Sequence, residues 1–187
     1  MSNKIKYGLK NVHYAVITET AGNITYDTPK PLAGGVSISI APNGELTEFH
    51  ADDITYWSAE INNGYDGELE IADLPESFLV DVLGEELSNG VLYESSEAKS
   101  KKFALTFEIN GDVKARRAVL YYCTATRPTI ASQTKSATVE PQTSQLTFNA
   151  RPRPTDYMIK AQTSVEVDAT VYDAWNTTIH EKTVAGA

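Results

Sequence analysis

Glu68 and Glu70 stand two apart in the run Tyr65-Asp66-Gly67-Glu68-Leu69-Glu70-Ile71. On a strand that spacing separates their backbones by about 6.5 to 7 Å, the lower end of the range over which inverting glycosidases hold two carboxyl groups. Such catalysis also needs one carboxyl of raised pKa in a cleft lined by sugar-stacking aromatics. The polar face of an ordinary strand accounts for both glutamates without it. His50, Asp52 and Asp53 are metal-ligand types, but His13 and His180 lie too far off in sequence to complete a recognised ligand spacing. The single cysteine, Cys123, has no intrachain disulfide partner, and its neighbours Leu120, Tyr121 and Tyr122 mark it as a buried small hydrophobe. No glycine-rich phosphate loop opens a helix, and no Gly-x-Ser-x-Gly elbow occurs. The expectation is a non-enzymatic chain without metal or cofactor. Arg151-Pro152-Arg153-Pro154 is the one concentrated basic motif, and its prolines favour an extended segment. Arg151 and Arg153 are therefore candidates for bridging to an acidic partner, most economically another copy of this chain.

The acids that would receive them are concentrated. The net charge of −9 arises in residues 31–98, which hold fifteen Asp and Glu and no Lys or Arg. Phosphate binding needs clustered cations, so a DNA-gripping role is disfavoured. Two readings of the acids remain: they keep a concentrated protein in solution, or they form a surface that something anionic passes without adhering. With 187 residues, 41% hydrophobic and 22% charged, the chain is expected to form one domain over 1–187. No apolar run is long enough to span a bilayer. The opening Met1-Ser2-Asn3-Lys4-Ile5-Lys6 lacks the apolar stretch of a secretory signal. Asn23-Ile24-Thr25 and Asn176-Thr177-Thr178 are then chance matches to the glycosylation triplet.

Hydrophobic period 2 dominates, which predicts many strands. Val36, Ile38 and Ile40 alternate with serines until Pro42-Asn43-Gly44, a turn signal that ends the run. Leu69 and Ile71 face one way, and Asp66, Glu68 and Glu70 the other. Phe103, Leu105, Phe107 and Ile109 lead to the turn Asn110-Gly111-Asp112 and a return strand, so 101–126 reads as a long hairpin. Leu146, Phe148 and Ala150 form a later strand that Pro152 and Pro154 must end. Asp73 to Gly84 carries the marks of a helix: proline and acids in the first turn, apolar Phe78, Leu79, Val82 and Leu83, and a terminal glycine. A second, short helix is expected after Asp168, anchored by Tyr172 and Trp175. The Ser/Thr-rich stretch 124–147 reads as strands and loops.

Several words in register then resemble one family. Tyr7-Gly8-Leu9-Lys10-Asn11-Val12-His13-Tyr14-Ala15, Phe49-His50-Ala51-Asp52-Asp53, the run from Asn62 to Ala72, Asp81-Val82-Leu83-Gly84-Glu85, Cys123-Thr124-Ala125-Thr126-Arg127-Pro128, Glu140-Pro141-Gln142-Thr143 and Arg151-Pro152-Arg153-Pro154 resemble the major tail (tail tube) proteins of long, non-contractile phage tails of Gram-positive hosts. His50 departs from the family's loop word, where a second aromatic hydroxyl is expected, and the match weakens after Trp175. The resemblance implies a mainly β protein, an antiparallel β-sandwich with a flanking helix. Six copies would close into a barrel-lined ring, and rings would stack into a tube around a tape-measure protein. It further implies end-capping by tail terminator and distal tail proteins, DNA transit without specific binding, assembly in the host cytoplasm and no membrane. On this reading Asp66, Glu68 and Glu70 are candidates to line the lumen. The segment from Pro42 to Tyr56, with Glu45, Glu48, Asp52 and Asp53, is the candidate ring-to-ring loop. A rival reading is a virion-displayed binding module for glycan or receptor, using Tyr56, Trp57 and Tyr65 as an aromatic platform.

Overall fold

The computed structural model describes residues 3–134 and 141–182. Met1, Ser2 and Glu140 of the words quoted above lie outside the described residues, as does part of the Ser/Thr-rich stretch. In chain order the elements are β1 (Lys6–Thr20), β2 (Asn23–Tyr26), β3 (Lys30–Pro31), β4 (Gly35–Ala51), β5 (Ile54–Ile71), α1 (Glu76–Phe78, continued by a π-turn over Leu79–Leu83), β6 (Glu86–Ser88), β7 (Val91–Tyr93), β8 (Phe103–Gly111), β9 (Arg116–Ala125), β10 (Ser144–Ala150), β11 (Lys160–Gln162) and α2 (Ala169–Ala174).

The fold is mainly β and antiparallel. Its two layers are halves of one continuous sheet with strand order β2-β1-β8-β9-β10-β5-β4, with β3 on β1 and β11 on β9, while β6 and β7 form a separate hairpin. The sheet curls until β4 meets β1, where Gly35 packs on Val12 and Leu9. Val12, Tyr14, Phe103, Leu105 and Leu120 from one half then share a core with Leu69, Ile71, Leu146 and Phe148 from the other. The helical segment plugs this core with Phe78, Val82 and Leu83, and Phe78 makes edge-to-face contacts with Tyr14 and Phe103 at 5.0 and 5.5 Å. Gly84 ends it at φ 78°, a left-handed geometry that glycine adopts without a Cβ penalty. Asp81 faces outward and accepts hydrogen bonds from Tyr14 and Lys30. Burial pushes its carboxyl up, but these bonds and the Lys30 charge outweigh that and hold it below the ordinary range.

A second core covers the opposite face of β1, β8 and β9: Ala15, Ala104, Val119 and Tyr121 lie under Trp175, with Met158 and Val171 beside them. Asp168 caps α2 by accepting from the Thr170 amide at 2.8 Å. Tyr172 and Trp175 tie the helix down through bonds to the Ala115 and Ala118 carbonyls. Because both faces of β8 are covered, Thr106 and Glu108, which alternation alone would send to solvent, are buried with Phe103, Leu105 and Phe107. The expected hairpin forms from β8 and β9, with Phe107 opposite Ala118 and Ile109 opposite Arg116, and Cys123 is fully buried.

The sequence expectation fails at Pro42-Asn43-Gly44. β4 does not end there but runs on for seventeen residues, and the pairing with β5 merely shifts between Pro42 and Gly44. Two circumstances absorb the turn chemistry. β4 is the terminal strand of the sheet, so an edge position accepts a proline that cannot donate. The irregularity is a bulge, in which Asn43 opposes no residue and instead donates to Asp66 at 2.6 Å.

Candidate functional site

Beyond that bulge β4 and β5 leave the body as a two-stranded arm. Its register runs from Gly44 opposite Asn62, through Glu45–Ile61, Leu46–Glu60, Thr47–Ala59, Glu48–Ser58 and Phe49–Trp57, to Ala51 opposite Ile54. The true turn is Asp52-Asp53, at φ 50° and 60°, a two-residue hairpin turn with both central residues left-handed, which aspartate tolerates better than most residues. At ~3.3 Å per residue the arm is about 25 Å long.

Alternation places Glu45, Ile61, Thr47, Ala59, Phe49 and Trp57 on one arm face, with Leu46, Glu48, Ser58 and Glu60 on the other. Neither face is covered. Phe49, Trp57 and Ile61 are 58%, 54% and 50% exposed, and Leu46, Ile54 and Tyr56 are more so. Exposed apolar surface of this extent rimmed by acids marks a place where another surface docks. The candidates Glu45, Glu48, Asp52 and Asp53 are thus brought together on one element, along the arm and at its tip. His50 bonds Thr55 at 3.2 Å and lies 3.9 Å from Glu48. Among the described residues no group of three or more His, Cys, Asp or Glu could hold a metal ion.

Asp66, Glu68 and Glu70 share the outer face of β5, opposite the buried Leu69 and Ile71. The strands on either side present uncharged residues to them: Ser37, Ser39 and Ala41 from β4, and Gln145, Thr147 and Asn149 from β10. Glu70 accepts from Ser37 and Thr143 at 2.9 and 2.8 Å. Asp66 accepts from Asn43 and pairs with Arg151 at 2.7 Å; these two hydrogen bonds hold its carboxyl below the ordinary range. Glu68 and Glu70 sit on this outward sheet face rather than in an aromatic-lined cleft. Tyr56 is the unpaired residue of a bulge between Thr55 and Trp57, and Tyr65, on the body rather than the arm, is engaged by Lys160.

The basic pair separates. Arg151 is partly exposed and bonds Asp66 and the Tyr65 carbonyl. Arg153 is 6% exposed. It binds Asp156 in a fork at 2.8 and 2.5 Å, pairs with Glu181, donates to Tyr26 and stacks over Tyr121. The expected bridge to another copy gives way, for Arg153, to a structural role between the C-terminal segment and the sheet, because its guanidinium is already desolvated and paired within the chain. Sequence reading also missed Glu108. This carboxylate, 2% exposed inside β8, receives Asn11, Lys10 and Arg117 at 3.2, 3.2 and 2.8 Å. Alternation put it on the polar register with Thr106 and Asn110, so the sequence carried no local signal of its burial.

A curled β body with a buried core, an uncovered terminal strand and a protruding amphipathic arm defines a protein built to associate. The phage tail tube protein family model matches residues 1–185, and the chain belongs to that family. It is a structural protein of the phage tail. No curated protein matches. Among solved structures, the cryo-EM structure of the anti-feeding prophage cap, a tube-terminating cap, is similar at 10% identity and a TM-score of 0.47, over 88% of this chain and 95% of that one.

Proposed function

We propose that this chain, acting as one tail-tube domain over 1–187, closes with five further copies into a ring, and that rings stack into the hollow tube through which the genome leaves the particle. The observation that carries this reading is the β4–β5 arm. A two-stranded hairpin with no core beneath it is marginal in water, and burying Phe49, Trp57 and Ile61 against a neighbour would yield about 1.5–3 kcal/mol for each side chain. The arm, with Glu45, Glu48, Asp52 and Asp53, is the ring-to-ring element. Lateral closure is served by β4, whose outer edge leaves backbone groups unpaired and would be completed by a neighbouring copy.

Asp66, Glu68 and Glu70, on the strand beside that edge, line the lumen in this reading and present carboxylates to passing phosphates. The tape-measure protein occupies the lumen before ejection, and tail terminator and distal tail proteins cap the ends. Assembly takes place in the host cytoplasm. No helix among the described residues is long and apolar enough to cross a membrane. Negative-stain microscopy of concentrated, tag-free protein, alone and with the tape-measure protein, tests the proposal. Six-fold rings or hollow filaments are expected; a species that stays monomeric in both conditions overturns it.

A further inference from the structure

At the mouth of the curled sheet, between β4 and the β1–β8–β9 half, lies a groove of about 230 Å³. Its floor is apolar: Ile38 and Ile40 from β4, Phe107 and Ile109 from β8, and Tyr65. Its charged lining residues are Lys6, Arg116 and Lys160, and among the described residues no carboxylate lines it. Lys160 lies 4.4 Å from the centre of the Tyr65 ring and donates to its hydroxyl. The Nε of Arg116 is buried without a hydrogen-bond partner. An unpaired guanidinium nitrogen beside two further cations over an apolar floor is a costly arrangement in isolation. The three cations over this apolar floor suit a ligand that is apolar along its length and acidic at its edge or end.

We propose that this groove is the receptor for the tip of the β4–β5 arm of another copy, so that Asp52 and Asp53 of one chain meet Lys6, Arg116 and Lys160 of the next while Phe49 and Trp57 cover the apolar floor. The proposal rests on the reading of the arm as the element that joins copies, and names the surface it joins to. Three observations select this occupant. The signs are complementary: the chain's acidic surplus lies in residues 31–98, which include the whole arm. The arm needs apolar cover and the groove needs an anion, so each supplies what the other lacks. The arm also cannot serve its own groove, because Ile40 and Asp52 are twelve residues apart along an extended strand, about 40 Å at ~3.3 Å per residue. Arm and groove are different patches of one chain, so the contact is heterologous and propagates from copy to copy.

The test is a charge swap in the full chain, read by pelleting and electron microscopy. Lys6→Glu with Lys160→Glu reverses the groove, Lys6→Glu alone spares the Lys160–Tyr65 contact, and Asp52→Lys with Asp53→Lys reverses the arm. Circular dichroism and gel filtration of the monomers verify the fold. Each reversal alone is expected to lose pelletable polymer, and polymer is expected to return when both reversals are placed in one chain or when groove-reversed and arm-reversed chains are mixed. Normal polymerisation of the groove variants beside failure of the arm variant would overturn the groove while leaving the arm reading intact. Normal polymerisation of the arm variant overturns both. Failure of both single reversals without recovery in the combined chain means a different acidic partner fills the groove, and also overturns the proposal.

Discussion

Glu108 sits at the point where β1, β8 and β9 exchange charge. Burial pushes its carboxyl up, and the hydrogen bonds from Asn11, Arg117 and Lys10 outweigh that, leaving it below its usual 4.5. A group whose pKa is lower folded than unfolded contributes stability above the unfolded value and loses it as pH falls through the folded one. Unfolding midpoints in urea are therefore expected to drop as pH decreases from roughly 5, and Glu108→Gln should remove part of that slope. Replacing Glu108 by Ala removes the carboxylate partner of Arg117, which keeps its bond to the Tyr172 carbonyl and its stack 3.9 Å over the Tyr172 ring, and the expected loss is about 1–3 kcal/mol. A second residue-scale prediction concerns Gly67. It faces Phe148 across the β5–β10 pair, and a Cβ built there would lie 2.3 Å from the Phe148 ring. Gly67→Ala must displace a ring that is 2% exposed, at an expected cost of about 1–3 kcal/mol in denaturant unfolding. Both changes act through the core, so they lower the stability of monomer and assembly alike.

Elements divide according to how local their causes are. The β8–β9 hairpin, β10, the helix ending at Gly84 and the Asp168 cap were legible because alternation, turn residues and capping are encoded within a few positions. The arm was not. Pro42-Asn43-Gly44 carries a strong turn signal, and only its place on the terminal strand, with Asn43 bulged toward Asp66, lets the strand continue. The turn that does form uses Asp52-Asp53, a weaker signal than a glycine-containing pair. Of the site residues, the acids on β5 followed from period 2, whereas the burial of Arg153 depended, beyond its neighbour Asp156, on Tyr26 and Glu181, distant partners that folding alone brings to it. β1 gave little sign of itself because only its middle, from Val12 to Ile17, is largely buried, and there on both faces, while its ends are exposed. For the arm the prediction separates stability from assembly. Trp57→Ser and Phe49→Ser remove side chains that touch no core, so monomer stability should stay within about 0.5 kcal/mol of wild type, while ring or filament formation is lost. A parallel loss of monomer stability would show that the arm packs on its own body.

On the scale of the whole molecule, charge is sorted by surface. Glu108 and Arg153 are buried among their partners, whereas the acids of the β5 face and the arm are among the carboxylates that meet solvent. If the β5 face lines the bore, its charge acts on DNA only inside the assembled tube, and the consequence is kinetic. Glu68 is the position to change, because Asp66 is already paired with Arg151 and Glu70 is held by Ser37 and Thr143. A particle carrying Glu68→Lys in every copy would present a ring of cations at each level of the tube, and repeated phosphate contacts of this kind retard transit in a salt-dependent way. The expected outcome is normal tail length, unchanged adsorption of added DNA fragments to the tube exterior, and slower ejection that recovers as salt is raised. If the same face lies outside, the signs reverse: added DNA binds the tubes in pelleting assays and ejection keeps its wild-type rate. Because the two geometries predict opposite changes in two independent measurements, one substitution on an otherwise unperturbed strand decides which side of the wall the acids occupy.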